Sequence, residues 1–457
     1  MNSIKRTMGA ISSLLLMAIS VGCEQQELPT LATPNPEGNT HTIEMVFTGE
    51  QIDYGEIISK ATNEWAEGDQ LYLTFTVGSE LIPGTAVYTG GKWKLTYEGE
   101  LSIGQQNSCA VRHFTDCGSQ TSGLVTLKSS SAIYEALDGA YSYTNGVLTV
   151  NAQLKPKYGR LRFKGNEGEQ IKINGINYNG TYSPLTCKYT SKSTPLDLTV
   201  EADGYTPYIY GEFKDSNRGI GLVSEESAYT RYFTSDILSA GMTGFVSIPT
   251  PDNHNNWRTG LYVKLSDKLT FRMIPVEGYS GGLYLLGETE VTQLLYCIVT
   301  GISVPNNSYP KNAVSYQSAT ELIDKLNNMT GYDFCLPTYN QWLYAAKGGN
   351  VSQGYTYAGS NDIEEVAWYN VNSTEINEVK SKAPNELGFY DMSGNVSEWT
   401  STLKDDAYIG SAIRAGGSYL DNAANCAVTA YTYKETNYIT GADYSYGLRL
   451  CLNVNFN

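Results

Sequence analysis

Residues 384–399 read PNELGFYDMSGNVSEW, and this stretch decides how the carboxy-terminal part of the 457-residue chain folds. Proline, glycine and asparagine interrupt it every few residues, which predicts loops and short strands instead of a helix. Two segments upstream, by contrast, repeat their apolar residues with helical spacing. From about residue 268 onward the sequence therefore predicts an α+β domain, distinct from the strand-rich half that precedes it.

The two helical segments carry their own start and stop signals. Ser318 and Glu321 have the spacing of a capping box, and the helix behind them is expected to stop near Gly331. Thr338 and Gln341 form a second capping-box pattern, which predicts another short helix. The first helix is expected to bury one apolar face, formed by Ala319, Leu322, Ile323 and Leu326.

Seven segments of this region resemble, in the same order, the formylglycine-generating enzyme family, also called sulfatase-modifying factors. The segments are FRMIPVEG (271–278), ETEVTQLLY (288–296), VSYQSATELIDKLN (314–327), CLPTYNQWLYAAKGG (335–349), PNELGFYDMSGNVSEW (384–399), RAGGSY (414–419) and YGLRL (446–450). The resemblance implies a C-type lectin-like α+β fold of the formylglycine-generating enzyme type for residues 268–457.

The resemblance of fold does not extend to the chemistry of the family. Active members bind copper with two cysteines just after the GGSY-type turn, and a pair of thiolates suits Cu(I). In this sequence the first of those positions is Asp421, and only the second, Cys426, is a cysteine. Residues 422–425 replace His, Arg and Tyr side chains of active members. We therefore expect a pseudoenzyme that requires no cofactor and does not bind copper.

One ligand set of the family is retained in the sequence. The second calcium site of the family uses an Asn and a Glu side chain from its G-N-x-x-E-W stretch, which match Asn395 and Glu398 here. Calcium prefers oxygen ligands, so the resemblance implies a calcium site at these two residues. The alternative is an Asn-centred turn beside a surface glutamate.

The segment between Gly416 and Gly447 has the composition of a binding face. Tyrosine offers a large contact area with few rotatable bonds, and small polar residues adapt their hydrogen bonds. The segment resembles the variable region of proteins diversified by retroelements, which use this lectin-like fold. The alternative is that the tyrosines only pack a loop-rich domain. The predicted ligand-binding residues are Tyr419, Asp421, Asn422, Asn425, Tyr431, Tyr433, Tyr438, Tyr444 and Tyr446.

The preceding half of the chain reads as all-β. Short runs alternate apolar and polar residues between Gly, Asn and Ser clusters, which predicts two β-sandwiches over residues 41–155 and 156–265. Residues 65–69, WAEGD, resemble the entry strand of fimbrillin-type pilin lipoproteins, and residues 157–165 and 204–213 fit their second domain loosely. A generic β-sandwich adhesin stalk is the alternative.

The amino terminus resembles a bacterial lipoprotein signal. Lys5 and Arg6 precede an apolar run that is too short to cross a bilayer, and residues 20–23 resemble a lipobox. We therefore predict a signal peptide at residues 1–22, acylation of Cys23 and a proline-containing tether at residues 23–40. The lipid bilayer of the outer membrane, at the cell surface, is then the expected partner of Cys23. A plain secretory signal with a chance cysteine is the alternative.

Composition narrows the function further. Acidic residues outnumber basic ones 47 to 31, giving a net charge of −16, so nucleic acid is not an expected partner. The three histidines are far apart in sequence and no C-x-x-C occurs among the eight cysteines, so zinc-site spacings are absent from the sequence. The cysteines are expected to be packing residues or structural bridges.

Three functions remain for the whole chain. The first is a surface lipoprotein whose two sandwiches present a non-catalytic, lectin-like head that adheres to an unknown protein or glycan. The second is a tip or structural subunit of a pilus, with other pilus subunits as partners. The third is a formylglycine-type oxidase, which Asp421 disfavours because it stands in place of a copper-binding cysteine.

Overall fold

The computed structural model describes residues 40–51, 65–116, 120, 121, 124–213, 220–231, 238, 240–250, 258–303, 308–403, 411–435 and 444–454. The predicted signal peptide, Cys23, the tether and Tyr438 lie outside these residues. Within the described residues, no helix is both long and apolar enough to span a bilayer.

The amino-terminal part is a curved sheet around one core. Its strands are β1 (Thr40–Phe47), β2 (Glu50–Gln51), β3 (Gln70–Val77), β4 (Glu80–Thr89), β5 (Lys92–Glu98), β6 (Gly104–Phe114), β7 (Gln120–Thr121), β8 (Leu124–Thr126), β9 (Ile133–Thr144), β10 (Val147–Asn151) and β11 (Gln153–Pro156). Nine of them pair in the order β10-β1-β5-β4-β3-β6-β9-β11-β2, and β9 also pairs with β10, so the sheet closes on itself. The alternation of residues in the strands explains why the sheet encloses a core. In β5, Trp93, Leu95 and Tyr97 are buried and the residues between them are exposed, so one face of the strand is apolar.

The second part packs two sheets face to face. Its strands are β12 (Gly159–Lys164), β13 (Gln170–Asn174), β14 (Asn177–Ser183), β15 (Lys188–Lys192), β16 (Leu196–Thr199), β17 (Ile209–Glu212), β18 (Ile220–Ser224), β19 (Ala228–Arg231), β20 (Thr243–Ser247) and β21 (Arg258–Thr259). One sheet contains β20-β12-β17-β14, with β15 beside β14, and the other runs β16-β13-β18-β19-β21. Phe163, Ile171, Ile209 and Leu222 fill the core between them. The predicted all-β amino-terminal half is confirmed.

The carboxy-terminal part combines helices with two small sheets, as predicted. Its elements are β22 (Leu261–Ser266), β23 (Leu269–Val276), β24 (Tyr284–Gly287), α1 (Gln293–Thr300), α2 (Tyr316–Thr330), β25 (Phe334–Cys335), α3 (Tyr339–Ala346), α4 (Ile363–Val366), β26 (Ser397–Leu403), β27 (Ser411–Ala415), β28 (Tyr431–Glu435), β29 (Tyr446–Leu448) and β30 (Cys451–Asn453). The sheets run β22-β23-β24-β30-β25 and β28-β27-β26-β29. Trp342 of α3 and Trp399 of β26 are buried in its two cores.

The predicted start of α3 is confirmed, whereas the predicted start of α2 is wrong by three residues. The Thr338–Gln341 capping box is present at the start of α3, and α2 stops at Gly331 in a left-handed conformation. The start of α2, however, is three residues earlier than predicted. Ser315 is the N-cap, because its hydroxyl accepts a hydrogen bond from the backbone N–H of Ser318 at 3.0 Å.

Two segments pair across the predicted domain limits. Strands β7 and β8 fall within the predicted first sandwich, yet β8 pairs with β14 of the second part. Strand β22 falls within the predicted second sandwich, yet Leu261 pairs with Met273 in an antiparallel hairpin with β23. The sheet of the carboxy-terminal part therefore begins at Leu261 and not after residue 267.

Candidate functional site

An open cleft of about 240 Å³ lies at the edge of the four-stranded sheet of the carboxy-terminal part. Strands β26 to β29 and the turn after β27 supply its walls. Its lining residues are Ser397, Arg414, Gly417, Ser418, Leu420, Asp421, Asn425, Tyr431, Thr432, Ser445 and Tyr446. Four predicted ligand-binding residues, Asp421, Asn425, Tyr431 and Tyr446, are thus brought together by the fold.

The turn after β27 depends on a glycine. Gly417 has φ +67°, and a Cβ there would stand 2.6 Å from the carbonyl oxygen of Asn425. Only glycine can adopt this positive φ and also leave room for that carbonyl oxygen without strain. The close return of the chain places residues 421–426 against the start of the turn, which brings Asp421 to the cleft wall.

Asp421 is held in place by neighbouring side chains. The Ser418 hydroxyl donates to Asp421 Oδ2 at 2.6 Å, and Asn425 Nδ2 donates to Asp421 Oδ1 at 3.4 Å. The backbone N–H of Asn370 donates to the Asp421 carbonyl at 3.0 Å. The carboxylate is therefore a fixed acceptor on the cleft wall, at the position where the family resemblance implies a copper-binding cysteine.

A cation lies in the same cleft. The Arg414 guanidinium stacks on the ring of Tyr446, with 3.5 Å between its central carbon and the ring centroid. Arg414 Nη2 donates to Thr432 Oγ1 at 3.0 Å. The cleft therefore offers an anchored cation and an anchored carboxylate, together with several hydroxyl groups.

The predicted binding residues divide by exposure. Tyr444 is 70% exposed and Tyr431 is 46% exposed, and the latter packs edge-on against Tyr339 at 5.0 Å between ring centroids. Asn422 and Asn425 are also exposed. Tyr433 lies in β28 opposite Ile413. Of these residues, Tyr431 and Asn425 line the cleft, and Tyr444 directly precedes the lining residue Ser445.

Two of the predicted binding tyrosines are interior residues. Tyr419 is 8% exposed and Tyr446 is 6% exposed, so neither offers a free face to a large ligand. The ring of Tyr446 lies edge-on to that of Trp399, 5.7 Å away. Their burial favours, for these two residues, the alternative of packing a loop-rich domain, although Tyr446 also forms part of the cleft wall.

Cys426 does not fit a copper(I) site in this structure. Its side chain is fully buried, and its Sγ donates to the Ser418 carbonyl at 3.8 Å. Burial, and then the charge of Asp421, raises the pKa of Cys426 to about 12, so the thiol is protonated at neutral pH. Copper(I) is bound by the thiolate, and the partner available here is a carboxylate.

The predicted calcium ligands are engaged with protein groups instead. Asn395 has φ +57°, its Oδ1 accepts from the backbone N–H of Asn377 at 2.9 Å, and its Nδ2 donates to Glu290 Oε2 at 2.9 Å. The side chain thus closes a turn, as the alternative interpretation of this residue states.

The side chain of Glu398 also binds protein groups, and it is buried instead of lying at the surface. Arg449 Nη2 lies 2.7 Å from Glu398 Oε1, and Trp342 Nε1 donates to Oε2 at 2.6 Å. Among the described residues, no three His, Cys, Asp or Glu side chains are grouped so as to hold a metal ion. Both side chains of the calcium site predicted at Asn395 and Glu398 thus make contacts that stabilise the fold, and the site itself stays a prediction.

Sequence reasoning missed the buried charges that organise this region. Arg449 is fully buried and also donates to the carbonyls of Gly287 and Tyr390, at 2.9 and 2.7 Å. Burial raises the pKa of Glu290 well above its ordinary range, and the neighbouring Asp391 and Glu398 raise it further. The sequence feature that could have indicated these buried charges is the single arginine in the otherwise uncharged strand sequence YGLRL.

Comparisons with known proteins match different parts of the chain. Chaperone protein LppX from Paenibacillus barcinonensis is 45% identical over 82 residues, and the match covers 14% of this chain and 29% of that protein. The chain thus spans less than a third of this curated relative.

Solved structures were matched as well. Treponema denticola variable protein 1 is 23% identical with a TM-score of 0.37, and the match covers 43% of this chain and 99% of that chain. A fimbrial protein from Bacteroides ovatus is 12% identical with a TM-score of 0.23, and the match covers 90% of this chain and 99% of that chain.

One family model matches the region that contains the cleft. Residues 300–454 match the model described as sulfatase-modifying factor enzyme 1-like domain. The matched region includes the decisive stretch, the turn at Gly417 and the last strands. The carboxy-terminal part of this chain is therefore a sulfatase-modifying factor enzyme 1-like domain.

Proposed function

We propose that this chain is a cell-surface lipoprotein whose carboxy-terminal domain is a non-catalytic head that binds a ligand through the cleft. The lipoprotein-like signal ending at Cys23 and the tether after it support anchoring in the outer membrane. The two β-rich parts support a stalk role, because in the sequence they separate the proposed anchor from the carboxy-terminal domain.

The replacement at the copper position carries this proposal. Asp421 is fixed by Ser418 and Asn425 on the cleft wall, while the remaining Cys426 is buried and protonated. A fixed carboxylate accepts hydrogen bonds from a ligand, whereas one buried thiol beside a carboxylate is a poor ligand pair for Cu(I), which prefers soft thiolate ligands. The chemistry of the cleft thus favours recognition over oxidation.

The size and rim of the cleft favour a ligand that inserts one group. About 240 Å³ is smaller than the roughly 300–1,000 Å³ of most small-molecule pockets. One sugar ring or one side chain of a larger protein or glycan fits this space. Tyr431 and Tyr444 then supply contact area around it, as rigid tyrosines do in antibody paratopes.

Binding can be tested with the two exposed tyrosines. The full chain and its Tyr431→Ala/Tyr444→Ala variant would be applied to glycan arrays and to immobilised extracellular proteins. Aromatic anchors at interfaces are often worth about 2 kcal/mol or more, so we expect the variant to bind its ligand at least about tenfold more weakly.

Two exposed apolar residues outside the cleft provide a matched control. Ile302 is 54% exposed and Met329 is 51% exposed, and the Ile302→Ala/Met329→Ala variant should bind like the unchanged chain. Equal binding by all three proteins would argue against the cleft as the site. Retained copper together with oxidation of a peptide of the CxPxR type would instead support the oxidase.

A further inference from the structure

Two cysteines of the carboxy-terminal domain lie directly opposite each other on neighbouring strands. In the antiparallel register of β25 and β30, Cys335 pairs with Cys451. Directly opposed residues have their Cα atoms about 4.5–5.5 Å apart. Disulfides bridge Cα separations of about 4.4–6.8 Å, so the separation expected of this pair lies within the range that a disulfide spans.

The two thiols are reduced in the structure and contact each other. Both cysteines are free, and their side chains share a hydrogen bond. Asn453 Nδ2 also donates to Cys335 Sγ at 3.4 Å. Within the strands that the structure describes, no other cysteine is in register with a cysteine, so this pair is set apart by its placement.

The pair is asymmetric in a way that suits thiol chemistry. Cys335 is partly exposed, whereas Cys451 is fully buried. The hydrogen bond from Cys451 lowers the pKa of the Cys335 thiol, and the same bond together with burial raises the pKa of Cys451. A thiolate is the attacking species in disulfide exchange, so Cys335 is the accessible nucleophile and Cys451 the resolving partner.

We propose that Cys335 and Cys451 form a disulfide bond when the exported chain meets a small disulfide or a thiol–disulfide oxidase. The Cys335 thiolate attacks one sulfur of the oxidant, forms a mixed disulfide and releases the other sulfur as a thiolate. Cys451 then loses its proton, attacks Cys335 Sγ and releases the second thiolate. Two cysteines are oxidised, two protons leave them, and the oxidant is reduced to two thiols.

The bond would close a loop that contains every lining residue of the cleft. Its ends are 116 positions apart (451 minus 335), and the cleft and both sheets have residues within that loop. A cross-link that closes a long loop stabilises a domain mainly by restricting the unfolded chain. This consequence rests on the proposed function: in an adhesive head, the disulfide would resist unfolding of the domain under the pulling force of a bound ligand.

The test uses the purified full chain, reduced with dithiothreitol and then exposed to oxidised glutathione. After blocking of free thiols and digestion without reductant, mass spectrometry should find one cross-linked peptide pair containing Cys335 and Cys451, lighter by two hydrogens than the separate peptides. Oxidation should also raise the Tm of the head by roughly 5–10 °C.

Variants separate this bond from a general effect of oxidation. Cys335→Ser should abolish the Tm increase, whereas Cys297→Ser, which replaces a partly exposed cysteine of α1, should retain it. Cys451→Ser should leave glutathione attached to Cys335. The proposal is overturned if both cysteines of the unchanged chain remain free after oxidation, or if Cys335 keeps glutathione while Cys451 is present.

Discussion

At the residue scale, the interior of the carboxy-terminal domain is organised by charges and not by apolar contacts alone. Arg449 and Glu398 form an ion pair that is almost completely excluded from water, and Asp391 and Glu290 lie beside it. Burying such groups is costly unless partners satisfy them. Sequence patterns could not foresee this group, because its members are separated by up to 159 positions (449 minus 290).

The contribution of Asp391 to the stability of this domain is larger at acidic pH than at alkaline pH. Burial raises its pKa from 3.8 to about 6, although the backbone N–H of Lys380 and the charge of Arg449 act in the opposite direction. Because the folded-state pKa lies above the unfolded value, the stabilisation is complete below about pH 3.8 and is lost as pH rises through about 6.

Asp391→Asn should therefore stabilise the domain at pH 8 by on the order of 2 kcal/mol, and much less at pH 4. Denaturant unfolding at both pH values measures the difference from the unchanged chain. Asp324→Asn, at an exposed position of α2, is the control and should change neither value appreciably. A constant difference between Asp391→Asn and the unchanged chain across this range would exclude the buried carboxyl as its cause.

At the scale of elements, the apolar face of α2 could be predicted, whereas its first residue could not. The predicted face of Ala319, Leu322, Ile323 and Leu326 is buried. Both Ser315 and Ser318 are N-cap residues by type, and only the direction of the incoming chain decides between them. Tertiary packing ends the preceding segment at Val314, which is buried in the same core.

Replacing Ser315 and replacing Ser318 should lower the free energy of unfolding by different amounts. Ser315→Ala removes the hydroxyl that accepts from the N–H of Ser318, and it should lower the free energy of unfolding by about 0.5–2 kcal/mol. Ser318→Ala leaves that N–H donor in place and should cost less than about 0.5 kcal/mol. Urea unfolding of both variants measures the difference, and a larger loss for Ser318→Ala would contradict the assigned cap.

For the cleft too, the sequence predicted which segment of the chain is involved but not the exposure of each side chain. Four residues predicted from the tyrosine-rich composition, Asp421, Asn425, Tyr431 and Tyr446, line the cleft, and their role in binding stays a prediction. The sequence could not predict which tyrosines face outward, because the apolar residues of this loop-rich segment do not recur with a helical or strand period. Tyr431 and Tyr419 illustrate this, as one is 46% exposed and the other 8% exposed.

At the scale of the whole molecule, the second β part and the carboxy-terminal domain share a core. Val223 of β18 and Ala228 of β19 belong to the apolar cluster that also contains Leu261 and Leu322. The Gly260 N–H donates to the Ala228 carbonyl at 2.7 Å, just before the chain enters β22. Composition and turn signals placed a boundary near residue 267, but they could not reveal that apolar residues on both sides pack together.

This shared core predicts that a change in the second β part weakens the head. Val223→Ala removes buried apolar volume and should cost about 2 kcal/mol, part of it in the head, because Val223 packs into the core of that domain. Val200→Ala is the matched control, since Val200 is equally buried but packs only within the second β part. Hydrogen exchange of the peptide that contains α2 should become faster in Val223→Ala and stay unchanged in Val200→Ala. If the two variants exchanged equally in α2, the carboxy-terminal domain would be energetically independent of the second β part, and that part could not transmit strain to the cleft through this core.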